Sequence, residues 1–93
     1  MAKVIEYKMF SVGENVLVRK YDKYFGHDLV LNDVCTIVRY TEKAVLFKIS
    51  EEWEHEDNPN RGKSFWVAKS VLYMLEGELK VVYLKQWAEI NLV

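Results

Sequence analysis

The chain has 93 residues, 51% of them hydrophobic and 14% aromatic, with four Gly and one Pro, which is too apolar for disorder and too poor in Gly and Pro for a collagen-like or linker segment. A chain of this length forms one small domain that buries roughly 60% of its unfolded surface. Thirteen Lys and Arg against fourteen Asp and Glu leave a net charge of −1, which argues against a general duplex-DNA binder.

In chain order, Lys3–Phe10 reads as a strand with Ile5, Tyr7 and Met9 on one face. Ser11–Asn15 is a turn in which Gly13 supplies a positive φ. Asn15–Tyr21 is a strand, with Val16 and Val18 alternating against Leu17 and Arg19. Asp22–Asp28 is a loop by its Gly and Asp content, and Leu29–Leu31 is a short extended piece that ends at Asn32-Asp33. Val34–Tyr40 carries the clearest β signal, with Val34, Thr36, Val38 and Tyr40 on one face and Cys35, Ile37 and Arg39 on the other.

Thr41–Lys43 connects it tightly to a strand over Ala44–Ser50. Glu51–Lys63, with Asn58-Pro59-Asn60 and Gly62, is a long loop. Ser64–Val67 is a strand, and Lys69–Met74 is a helical turn capped by Ser70. Glu76–Glu78 turns the chain into a strand over Leu79–Leu84. Lys85–Val93 is a short C-terminal helix with Trp87 and Ile90 facing inward. The whole predicts a mostly β domain over residues 1–93. Its form is a small barrel or rolled antiparallel sheet, SH3-like or OB-like, of five to six strands.

Charge is distributed unevenly. Glu51, Glu52, Glu54, Glu56 and Asp57 form an acidic run around Trp53, and Arg61, Lys63 and Lys69 follow, interleaved with Phe65 and Trp66. A second aromatic–basic segment holds Tyr21, Lys23, Tyr24 and Phe25. If the two segments meet at one rim, they stack a base and hold a phosphate, as small β barrels do.

Catalysis has weaker credentials. His27 precedes Asp28, which can orient an imidazole, but no nucleophile is fixed beside it, and a loop histidine is the simpler reading. His55 among carboxylates has the donor types of a metal site, yet its neighbours form a single run and do not converge from separate elements. Cys35 sits mid-strand as a small apolar residue. It cannot form an intrachain disulfide, and alone it cannot make a zinc site.

The runs Lys43–Ile49 and Phe65–Val71, with Leu79–Leu92 including Trp87 and Ala88, resemble small proteins of phages and prophages. Those proteins carry a Lys-Ala-Val strand, an aromatic-Val-Pro-Lys-Ser strand end and a closing Trp-Ala helix. Ala68 stands where that pattern has its proline, and the acidic loop is longer here. The resemblance implies a phage-borne β domain with a counter-defence or host-takeover role.

Together these readings predict a non-enzymatic protein that inhibits a host system by binding and occluding a host protein. Its contacts are the acidic loop and nearby aromatics such as Trp53. Two alternatives draw on Tyr24, Phe25, His27, Arg61, Lys63, Trp66 and Lys69. One is sequestration of a nucleotide-like signal in a basic–aromatic pocket, and the other is single-strand nucleic-acid binding. No cofactor or metal is expected. With no apolar run of roughly 18 residues and no signal-like start, the expected location is the cytoplasm, that of the host if phage-encoded. Open sheet edges predict a homodimer paired across a two-fold axis.

Overall fold

The computed structural model describes residues 3–8, 10–22, 24, 26, 28–51 and 60–92. Seven strands form one sheet: β1 (Val4–Glu6), β2 (Asn15–Tyr21), β3 (Leu29–Tyr40), β4 (Ala44–Ile49), β5 (Ser64–Ala68), β6 (Leu72–Leu75) and β7 (Val81–Leu84). Their order is β1-β6-β7-β2-β3-β4-β5, with β1 and β5 at the edges of a curled half-barrel. All neighbours are antiparallel except β2 and β7, which run parallel from Leu17↔Val81 to Lys20↔Leu84.

Period-two patterning places the core on the concave face. From β2, Val16 and Val18 are buried there, and Cys35 and Ile37 of β3, Val45, Phe47 and Ile49 of β4, and Phe65 and Val67 of β5 continue the layer. Phe47 and Phe65, directly paired, stack with ring centroids 5.5 Å apart. Tyr7, Phe10, Ile90 and Leu92 pack against this layer from the two ends of the chain.

Several expectations are corrected. Among the described residues there are seven strands, not five or six, because the helical turn expected over Lys69–Met74 covers only Lys69–Val71, as a 3-10 turn, and leads straight into β6. Leu72 and Met74 are buried while Tyr73 and Leu75 are half-exposed, so this segment has strand periodicity. Ser70 does not cap the turn; Ala68 holds the cap position, with no side-chain hydrogen bond.

The sheet is also not wholly antiparallel, since β7 enters beside β2 in the same direction. Leu79 lies outside β7 and is 89% exposed, because Lys80 takes a positive φ of 55° and turns the chain before the strand starts.

The C-terminal helix is absent as well. Among the described residues 85–92 there is one turn, closed by Ala88 N–H donating to Lys85 O, and the flanking backbone bonds outward: Lys85 N–H donates to Val71 O, and Gln86 O accepts from the Lys20 ammonium. Ala88 is buried, Ile90 and Leu92 are half-buried, and Glu89 and Asn91 are exposed, which is the alternation of an extended segment. Trp87, expected inside, is 64% exposed.

The long β3 joins what the sequence splits at Asn32-Asp33. Asn32 faces outward and accepts from Arg19 Nε at 2.9 Å, and Asp33 pairs with Val18, so polar side chains coexist with an unbroken ladder. Gly13 has the expected positive φ, 94°, and donates its N–H to Ile37 O. Among the described residues no helix is long and apolar enough to cross a membrane.

Candidate functional site

The first candidate is an exposed face where β3, β4 and β5 run side by side. The β3–β4 register shifts between Ile37 and Arg39, so Val38 is the extra residue of a bulge. Bulges re-aim side chains. Here the bulge moves Arg39 off the face of Ile37 and aligns it with Leu46, which pairs in turn with Trp66. The expectation that Arg39 shares a face with Cys35 and Ile37 is thereby overturned.

Val38 and Trp66, 41% and 46% exposed, are the large apolar side chains of this face, whereas Tyr40, 40% exposed, pairs with the buried Val45 and so belongs to the opposite, core-side face at the end of β3. Exposed Arg39 and Lys48 flank Trp66 on this face, Lys43 is exposed in the β3–β4 turn, and on the other side of the sheet the Lys69 ammonium lies 5.4 Å from the centroid of the Tyr40 ring. Trp, Tyr and Arg are the side chains that most often anchor protein contacts.

The edge of β5 adds backbone donors and acceptors. Lys63 O accepts from Ile49 N–H, and Lys69 N–H donates to Lys43 O, so the odd-numbered residues of this strand bond to β4. By alternation, Ser64, Trp66 and Ala68 direct their N–H and C=O groups outward. Within Ser64–Ala68 there is no charge, proline or bulge to blunt that edge.

The second candidate is a groove of about 630 Å³ between β1, the 3-10 turn and β6, lined in part by Glu6, Tyr7, Lys69, Ser70, Tyr73 and Lys85. Burial raises the pKa of Tyr7, partly opposed by a hydrogen bond with the backbone of Phe10. Burial also raises that of Tyr73, with the nearby Tyr21 adding to it. Both phenols are therefore neutral at physiological pH. Tyr73 stacks on Tyr83 at 5.3 Å, and the Tyr83 hydroxyl donates to Glu78 Oε1 at 2.7 Å.

A third cavity, of about 360 Å³, is lined by Lys20, Tyr24, Val30, Ala88 and Asn91 among others. Tyr24 and Trp66, from the two aromatic–basic segments expected to form one site, therefore lie in different places. Tyr24 is 78% exposed in the loop before Leu29, whereas Trp66 aligns, through Leu46, with Arg39. Ten residues of β3 separate those two ends, roughly 30 Å of strand.

Arg61 and Lys63 are exposed beside β5, and Glu51 is exposed with Lys48 3.9 Å away. Phe25, His27, Glu52, Trp53, Glu54, His55, Glu56 and Asp57 lie outside the described residues. Among the described residues no three His, Cys, Asp or Glu side chains gather as metal ligands. Cys35 is buried, and its thiol is pushed up to about 12, mainly by burial and further by the charge of Asp33, so it is no nucleophile at neutral pH.

Sequence reasoning missed Arg39, Tyr40, Tyr73 and Lys85. The bulge hides the first, and the expected helices absorbed the last two. Compared with protein-family models, curated proteins and solved structures, the chain has no match in any of the three.

Proposed function

We propose that this chain is a non-enzymatic binding protein that acts by occluding a protein partner through the Trp66 face, and we read its half-barrel as a small binding barrel of the SH3-like or OB-like kind. The observation that carries the reading is the exposed Trp66, which shares its face with Val38, Arg39 and Lys48 and stands on the unblunted edge of β5. Exposed apolar patches with polar rims mark interaction surfaces. The outward N–H and C=O groups of Ser64, Trp66 and Ala68 fit an added strand, from the partner or from a second copy of the chain. The phage-type role against a host defence system rests on the resemblance of Lys43–Ile49, Phe65–Val71 and Leu79–Leu92, and the acidic run Glu51–Asp57 stays a candidate contact on its charge alone.

The test is capture of partners from host lysate by wild type, Trp66→Ala and Val38→Ala, each confirmed as folded by circular dichroism. A partner held by wild type and lost by both variants is expected. A partner held equally by all three overturns the assignment of this face.

A second reading, single-strand nucleic-acid binding, is favoured by one observation: Trp66 shares its face with Arg39 and Lys48. It requires oligonucleotide affinity that falls steeply with salt and disappears in Trp66→Ala.

A further inference from the structure

We propose that the groove between β1, the 3-10 turn and Lys85 is a binding site for a phosphate-bearing small molecule. This goes beyond the Trp66 face, since neither Trp66 nor Arg39 lines the groove. Its volume, about 630 Å³, falls in the range of small-ligand sites.

Its charges are sorted along its length. Lys69, Ser70 and Lys85 all line the groove, and the Lys85 N–H donates to Val71 O at 2.9 Å, so the chain brings these three residues to the same end. Glu6 pairs with Tyr73, further along β6. Neither lysine makes an ion pair with a described residue. The cation–π contact of Lys69 with Tyr40, at 5.4 Å, is weak enough to exchange for an anion.

Two lysines act as point charges without the planar fork that arginine offers a carboxylate, and they gain most from a compact, doubly charged group. Phosphate meets that description. Tyr7 and Tyr73, neutral and partly buried, offer apolar flanks to the body of the ligand, and Glu6 accepts from a hydroxyl or amino group there. A small phosphorylated molecule with a donor-bearing body fits this order of groups.

Amide NMR spectra of the full chain, titrated with sodium phosphate and with adenosine monophosphate at constant ionic strength, test the assignment. Saturable shifts centred on Ser70 and Lys85 are expected for phosphate, with tighter binding of the nucleotide. Lys69→Gln and Lys85→Gln each weaken binding about fivefold, and Glu6→Gln strengthens it. Absence of saturable shifts up to tens of millimolar overturns the proposal. So does an equal response to sodium chloride, or unchanged phosphate binding in the double lysine variant. Nucleotide binding no tighter than phosphate reduces the site to an adventitious ion only and overturns it as well. The variants change exposed or half-exposed side chains, and retained spectral dispersion confirms their fold.

Discussion

The ammonium of Lys20 donates a 3.0 Å hydrogen bond to the backbone carbonyl of Gln86, 66 residues later in the chain, from a side chain only 6% exposed. A second bond, 3.2 Å, goes to Tyr21 O. No carboxylate among the described residues pairs with this buried cation, so the two carbonyls supply its partners. Gln86 returns the contact, its Nε2 donating to Asp22 O at 2.6 Å. The last described residues are thus clamped to the end of β2.

Replacing Lys20 tests the clamp. Lys20→Met keeps the apolar stem and removes the donors, leaving Gln86 O short of a partner while relieving the desolvation of a charge. The expected loss is about 1 kcal/mol. Lys20→Ala adds a cavity, and the loss rises to about 2–4 kcal/mol. Urea denaturation reads both values. Amide exchange in residues 86–92 should accelerate more than exchange in β3; uniform acceleration would show that Lys20 supports the whole core and holds no segment in particular.

How much of this was legible in the sequence depends on where backbone groups find partners. Asn15–Tyr21 is a strand with the expected bounds, because its alternation is strict and β3 and β7 pair with it on both sides, the β3 register slipping only between Lys20 and Tyr21. Segments that need distant partners to declare themselves were misread: Leu72–Leu75 is a strand only because β1 and β7 flank it, and residues 85–92 stop at a single turn because Lys20 and Val71 take backbone groups of Gln86 and Lys85. The same applies to function. Lys69 is legible as a cation beside aromatics, but that Lys85 shares its groove is a property of tertiary pairing. The distance between Tyr24 and Trp66 is set by the length of β3, which the polar Asn32-Asp33 pair disguises.

Residues 87 and 88 distinguish an extended segment from a helix. Trp87 is 64% exposed, so Trp87→Ala should change stability by less than about 0.5 kcal/mol. Ala88 is 7% exposed against the core, and Ala88→Asp buries an unpaired carboxylate, at a cost of about 2 kcal/mol or more. Thermal denaturation of the two variants gives the answer; the opposite ranking would restore the inward-facing helix.

The stacked pair Phe47 and Phe65 holds β4 to β5, the strands that present the Trp66 face. Both rings are fully buried, so Phe47→Ala removes transfer energy and leaves a cavity, about 3–5 kcal/mol together. A 93-residue domain has only about 5–14 kcal/mol in total. The variant should melt far below wild type, whereas Phe47→Leu, which refills most of the volume, should lose much less. Equal melting temperatures for Phe47→Ala and wild type would contradict the packing described.

Alkaline pH should destabilise the fold through Cys35. Burial, reinforced by Asp33, raises its thiol from 9.0 to about 12 in the folded chain. Between those values the unfolded chain loses the proton and the folded chain keeps it, so the folded state binds more protons and stability falls as pH rises. The slope from this group approaches about 1.4 kcal/mol per pH unit inside that window and vanishes below it. Tyr83, raised mainly by burial and by its hydrogen bond to Glu78, adds a loss of the same sign once pH passes the ordinary tyrosine value of 10.0. Cys35→Ala leaves a small cavity that lowers stability at every pH, but it should flatten the curve between pH 9 and 10. Urea midpoints of wild type and Cys35→Ala that fall in parallel across that interval would assign the alkaline loss to other groups.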